Sequence, residues 1–239
     1  MKKILQIFII FSLVTVFSCS GPEKKEVPSA EIDYIKALKK MKAKDYLSAA
    51  EDFRKINDEY PLSKWGSKAI TMAAFGFYKE GQLEDVVVLA EEFIRDNPSN
   101  PNVDYMHYLK SISYYDQMND IARAQDNAKL SSYSFRELVA RFPRSKYSTD
   151  ARTKLILVDD HIAGAKMNIG RYQIEARNYV GAIKSFQEVV NNYSRTNQTP
   201  EAYFRLYETH LKIGMKKISA KYRQELKQKY PSSSWTKLK

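Results

Sequence analysis

The nucleophiles, bases and metal ligands of a chain set the chemistry it can do, and in these 239 residues they are few and scattered. The three histidines, His107, His161 and His210, form no His-x-x-x-His pair, and the one cysteine, Cys19, has no second thiol with which to build a zinc site or a disulfide. Asp159-Asp160-His161 has the residue types of an acid–base cluster. Adjacent helical residues point about 100° apart, however, and do not converge on one substrate atom, so a solvated helix face is the better reading. No glycine-rich phosphate loop and no Gly-x-Ser-x-Gly elbow occurs. The pattern predicts no enzyme, no cofactor and no metal.

Cys19 does have a context. Lys2 and Lys3 precede an apolar run from Ile4 to Phe17, broken by Gln6, Ser12 and Thr15, and then come Ser18, Cys19, Ser20, Gly21 and Pro22. As a helix the run is roughly 21 Å long, short of the roughly 30 Å of a bilayer core, so it reads as a signal peptide over residues 1–18. Val16-Phe17-Ser18-Cys19 resembles the lipobox of bacterial lipoproteins. That resemblance implies cleavage before Cys19 and acyl chains on its sulfur and new amino group, enough for stable anchoring. The alternative is an ordinary secretory signal with a chance cysteine. With Ser20 after the lipid site, the lipoprotein pattern implies the periplasmic face of the outer membrane. Residues 19–29, rich in Glu, Lys and Pro, read as a flexible tether.

From Ala30 onward apolar residues recur at helical spacing, which predicts an all-α chain. Tyr46-x-x-Ala49-x-x-x-Phe53 leading to Tyr60-Pro61 returns as Phe135 leading to Phe142-Pro143 and as Tyr179-x-x-Ala182-x-x-x-Phe186 leading to Tyr193-Ser194. Asn97-Pro98 and Tyr230-Pro231 complete the series. The marks fall at 61, 98, 143, 194 and 231, which predicts a superhelical array of about five tetratricopeptide-like helix pairs. Residues 30–151 form an N-terminal half of three repeats and 152–236 a C-terminal half of two, with the junction near Arg152. Met118 to Ser131 extends the third hairpin. Lys146 to Ala176 lacks proline and can run as one joining helix, or as two helices broken near Gly164 or Gly170.

The net charge of +11 is concentrated: Lys212 to Lys239 contributes +8. An exported chain does not normally meet nucleic acid, which leaves acidic protein partners, anionic envelope surfaces or a merely solvated basic helix. The first helices of the first three units carry Tyr34, Phe75, Tyr78, Tyr105, Tyr108, Ile112 and Tyr115, the last four at the i, i+3, i+7, i+10 spacing of one helix face. Such a stripe is either core or a half-exposed groove for peptide, which tyrosine suits because its ring is apolar and its hydroxyl polar.

Lipobox, tether and repeat marks together resemble the BamD family of outer-membrane lipoproteins. The most specific pieces are Phe135-Arg136-Glu137-Leu138-Val139, Arg141-Phe142-Pro143, Ser145-Lys146-Tyr147, Asp150-Ala151-Arg152 and Gly170-Arg171-Tyr172. Ser111, where a glycine is common, and Ser194, in a proline slot, depart from the pattern. The resemblance implies a scaffold that binds the polypeptide-transport domains of BamA and the aromatic C-terminal signals of unfolded outer-membrane protein precursors. The Tyr34 to Tyr115 groove would take that signal, with Lys68, Lys79 or Lys110 meeting the terminal carboxylate. Gly170, Arg171, Tyr172 and Lys184 would face BamA. A tetratricopeptide lipoprotein of another envelope system, peptidoglycan-linked or secretory, is the alternative.

Overall fold

A computed structural model describes residues 29–119 and 124–238. The signal peptide, Cys19 and nearly all of the tether lie outside the described residues. The elements, all helical, are α1 (Ala30–Lys42), α2 (Tyr46–Glu59), α3 (Lys64–Glu80), α4 (Leu83–Asp96), α5 (Val103–Asp116), α6 (Ala124–Arg141), α7 (Lys146–Glu175), α8 (Tyr179–Asn192), α9 (Thr199–Lys212), α10 (Lys216–Lys229) and α11 (Ser234–Lys237). A 3-10 turn, Gln117–Asn119, follows α5 where the third hairpin is extended. No described helix is long and apolar enough to cross a membrane.

One local device repeats five times and explains the array. Each even-numbered helix from α2 to α10 ends on a residue whose N–H donates four residues back: Tyr60 to Ile56, Asn97 to Phe93, Phe142 to Leu138, Tyr193 to Val189 and Tyr230 to Leu226. The chain then folds over, with the N–H of Ser63, Asn100, Ser145, Thr196 or Ser233 donating to the carbonyl of that ending residue. Ser63, Ser145 and Ser233 also cap the following helix, their hydroxyls accepting from the N–H of Gly66, Tyr147 and Trp235. The turn after Tyr193 has the same bonds although Ser194 replaces proline. Proline's fixed φ favours such a turn, but the backbone bonds suffice to form it.

The residues four, seven and eleven positions before each ending residue are the buried stripe: Ile56, Phe53 and Ala49 in the first unit, Leu138, Phe135 and Ser131 in the third, Val189, Phe186 and Ala182 in the fourth. Ala or Ser at the eleventh position admits close helix approach, and the ring at the seventh fills the space below it; the second unit holds Val86, Ala90 and Phe93 at these places, with its ring at the fourth. In the fifth unit the seventh position is Arg223, which reaches the carbonyls of Trp235 and Leu238 and lies against the Phe204 and Tyr207 rings. A guanidinium bonded to main-chain carbonyls thus stands where the first, third and fourth units have a phenylalanine ring.

From α1 to α10 each helix packs on its neighbours in sequence, and the odd-numbered helices also touch one another: α1 with α3, α3 with α5, α5 with α7, α7 with α9 and α9 with α11. No comparable contact joins the even-numbered helices. The odd-numbered helices are therefore the closer set and line the inner, concave side of the superhelix.

Of the two sequence readings of residues 146–176, the continuous one holds: α7 runs 30 residues through both Gly164 and Gly170. Its Val158 and Ile162 belong to the N-terminal core and its Ala163 and Met167 to the C-terminal one. Packing passes from one core to the other between Ile162 and Ala163, further along the helix than Arg152. Gly170 is buried because a Cβ there would sit 2.4 Å from Cε1 of Phe186 on α8, so only glycine lets the two helices approach this closely.

Candidate functional site

The concave side holds one dense aromatic cluster. Tyr78 on α3, Tyr105, Tyr108 and Tyr115 on α5, and Tyr147 at the start of α7 are all half-buried. Tyr147 stacks on Tyr108 at 5.1 Å between ring centroids and 23° between planes, and lies 5.0 Å from Tyr105. Tyr108 Oη donates to Asp150 Oδ2 at 2.7 Å, and Tyr78 Oη donates to Asp116 Oδ2 at 2.8 Å. Lys154 Nζ sits 3.5 Å from Asp150 and 5.4 Å from the centre of the Tyr115 ring. Burial pushes the hydroxyls of Tyr78, Tyr105 and Tyr108 well above the usual phenol range, and the neighbouring carboxylates add to this for Tyr78 and Tyr108. The hydroxyls therefore stay protonated, and the two donated bonds hold the Tyr78 and Tyr108 rings to Asp116 and Asp150. A second aromatic group lies further along the same side, where Tyr34 meets Phe53 at 5.0 Å and Trp65 at 4.9 Å, with Lys64 and Lys68 over the Trp65 ring.

Several sequence-predicted positions need correction. Ile112 is 4% exposed and belongs to the N-terminal core rather than to the half-exposed surface of the tyrosines that share its helix face. Lys110 also turns toward α6, where its ammonium is 3.7 Å from Glu137 and its side chain only 12% exposed, so it is not available to a peptide carboxylate. Lys79 lies over the Tyr46 ring of α2, outside the cluster. Lys68 keeps a place beside Trp65, and Phe75 packs half-buried on the core next to Tyr78. In the C-terminal half Gly170 presents no surface, and Arg171 is held by Glu201 at 2.9 Å and Asn168 at 2.6 Å. Tyr172, 70% exposed, and Lys184 are free at the surface, near the turn where α7 meets α8.

Tyr147, Trp65, Asp116, Asp150 and Lys154 belong to the concave surface and were not legible as such from the helix faces alone. One signal was present: the fifth residue after the helix-ending position is Trp65, Tyr147 or Trp235 in three units. Each opens or nearly opens a helix and stacks back on an aromatic of the preceding unit, Tyr34, Tyr108 or Phe204.

The histidines and acids diverge. Asp159 accepts from Ser132 and Arg136, Asp160 accepts from the Asn197 N–H, and His161 is exposed. No group of three or more potential metal ligands comes together among the described residues. His107 is fully buried beside Phe142, with Nδ1 3.8 Å from Glu137 and no hydrogen bond to either ring nitrogen. Burial lowers its pKa from 6.5 to about 4, against the pull of Glu137, with Arg141 and Lys110 lowering it further. The unfolded chain thus takes up this proton near pH 6.5 and the folded chain only near pH 4, so stability is lost as pH falls through that window. Melting temperature followed from pH 7 to 4.5 is expected to fall more steeply for the native chain than for His107→Leu. Parallel curves would show that His107 does not carry the effect.

Helix pairs stacked into a superhelix, with aromatic side chains along the inner face, define a tetratricopeptide-like scaffold. The family model for the outer membrane lipoprotein YfiO matches residues 26–226, and the chain belongs to this family. It is 33% identical to the outer membrane protein assembly factor BamD of Rickettsia prowazekii, over 98% of this chain and 94% of that one. It is 31% identical to the BamD of Caulobacter vibrioides, over 98% of this chain and 78% of that one. Among solved structures, a TPR protein of Thermus thermophilus overlays 86% of this chain and 93% of its own at a TM-score of 0.42 and 14% identity.

Proposed function

We propose that this chain is a non-enzymatic assembly factor for outer-membrane proteins, held by acyl chains on Cys19 at the periplasmic face of the outer membrane. Its concave tyrosine cluster receives the aromatic C-terminal signal of an unfolded precursor, and the free surface around Tyr172 and Lys184 docks the polypeptide-transport domains of BamA. The observation that carries the peptide reading is the Tyr105, Tyr108 and Tyr147 group: half-buried rings oriented in advance by stacking and by bonds to Asp150. A site oriented before binding loses little further entropy when a peptide enters. Lys68 and Lys154 are the cations placed to meet the peptide's carboxylate, Lys154 by exchanging its weak pairing with Asp150. For BamA, Ile169 and Val180 extend the exposed apolar surface beside Tyr172, which suits a protein interface better than open solvent.

The anchoring and the assembly role are tested together. Cys19→Ser is expected to leave the fold intact and move the chain from the membrane to the soluble fraction. The native chain, purified from solubilised membranes, is expected to bring BamA with it. An unlabelled Cys19 after metabolic palmitate labelling would remove the lipid anchor from the account, and absence of BamA from the purified material would remove the assembly role.

A further inference from the structure

The face of α7 turned away from the tyrosine cluster lines a cleft of about 570 Å³ between α6 and the turn joining α8 to α9. Residues 150 and 152 lie about 200° apart around a helix, so Asp150 and Arg152 serve opposite sides of α7. The cleft's apolar wall is Val139, Leu155, Ile156 and Tyr193, and three arginines reach it: Arg136, Arg152 and Arg195. Among the described residues Asp159 is the only carboxylate lining it, and it is taken up by Arg136 at 2.5 Å and by Ser132 at 2.8 Å. Arg152 donates to the main-chain carbonyls of Ser148 and Pro143, and no acid among the described residues pairs with it. Arg195 is exposed on the α8–α9 turn and has no ion pair or side-chain hydrogen bond among the described residues.

We infer that this cleft is a second peptide-docking site, taking a segment of a partner protein in which a carboxylate side chain neighbours an apolar one. Two guanidinium groups without counter-charge supply the complementarity to carboxylates, and guanidinium recognises a carboxylate through paired N–H donors. The apolar wall takes the neighbouring side chain. The exposed amide of Asn192 and the hydroxyl of Ser194 stand where an extended backbone would pass. A hydrated phosphate headgroup would meet the arginines but leave Val139, Leu155, Ile156 and Tyr193 unused, which favours a peptide over a lipid. The inference rests on the reading of the chain as a scaffold for protein partners, and it is independent of the concave groove because the two sites use opposite faces of α7.

The test uses the full chain in detergent and a fluorescein-labelled octapeptide alternating aspartate and phenylalanine, followed by fluorescence anisotropy. Binding is expected, weakening with salt, and falling at least tenfold for the same peptide with asparagine in place of aspartate. Arg195→Glu is expected to weaken it at least tenfold with an unchanged melting curve, since Arg195 supports nothing in the fold. Tyr108→Ala is expected to leave it intact, so failure of the groove reading and failure of this one are separable. Equal binding of both peptides, indifference to Arg195→Glu, or a loss seen only with Tyr108→Ala would overturn the inference. So would binding to phosphatidylglycerol vesicles that Arg195→Glu abolishes, with no binding of the acidic peptide.

Discussion

Gly170→Val is expected to destabilise the C-terminal half by about 3 kcal/mol, whereas Gly164→Ala, on the same helix, is expected to be neutral or to stabilise by up to about 1 kcal/mol. The difference lies in what each new side chain meets. At Gly164 the nearest atoms are 4.0 Å away, at the end of the Gln198 side chain. A Cβ at Gly170 would lie 2.4, 2.7 and 2.9 Å from three atoms of the Phe186 ring, and that ring is fully buried between Ala163, Met167 and Val189 with no space into which to turn. Close-packed interiors answer such an intrusion by separating the helices, which exposes the core they share. At roughly 2–4 °C per kcal/mol for a chain of this size, the valine variant should melt about 6–12 °C lower. Phe186→Leu, which shortens the obstructing side chain, should be less harmful combined with Gly170→Val than alone. If the two losses simply add, α7 and α8 do not meet through this pair.

Tyr108→Ala is expected to weaken binding of a labelled peptide ending in an aromatic residue by about 1–3 kcal/mol, roughly 5- to 150-fold, as for anchor residues at interfaces. The substitution removes the ring that Tyr147 stacks on and releases Asp150 from a 2.7 Å bond, so two sides of the groove lose their orientation at once. Since Tyr108 is only half-buried, its folding cost should be the smaller part, and a melt of the same variant separates the two. Tyr108→Phe keeps the ring and loses the hydroxyl. It should retain most of the affinity if stacking dominates, and lose as much as the alanine if the Asp150 bond is what orients the site. Lost stability with undiminished affinity would make the tyrosines part of the core.

Much of this arrangement was legible in the sequence because it is periodic. The helix-ending residues recur with the buried positions four, seven and eleven before them, and a repeat that must cover its neighbour cannot hide its apolar stripe. What escaped reading depends on distance between units. Gly170 looked like a surface feature because its motif is local, but its partner Phe186 is on the next helix. Lys110 looked like a free cation because nothing in its own helix opposes it, but Glu137 comes from α6. Ile112 shares the periodicity of the tyrosines beside it, and only the packing of neighbouring helices over it decides that it is buried. Asp116, Asp150 and Lys154 carry no local signature at all, since acids and lysines on helix faces usually meet solvent. Their role comes from the packing of α3, α5 and α7.

The central claim is that the concave tyrosine face receives the ends of outer-membrane precursors, and photocrosslinking in living cells tests it most directly. With a benzophenone amino acid at position 108, irradiation should yield an adduct between this chain and a full-length barrel precursor. Removing the precursor's terminal aromatic residue should abolish that adduct. The same probe at position 133, where Tyr133 is exposed on α6, an even-numbered helix off the concave face, should yield none. An adduct at position 133 equal to that at 108, or one at 108 that survives loss of the terminal aromatic, would contradict the account.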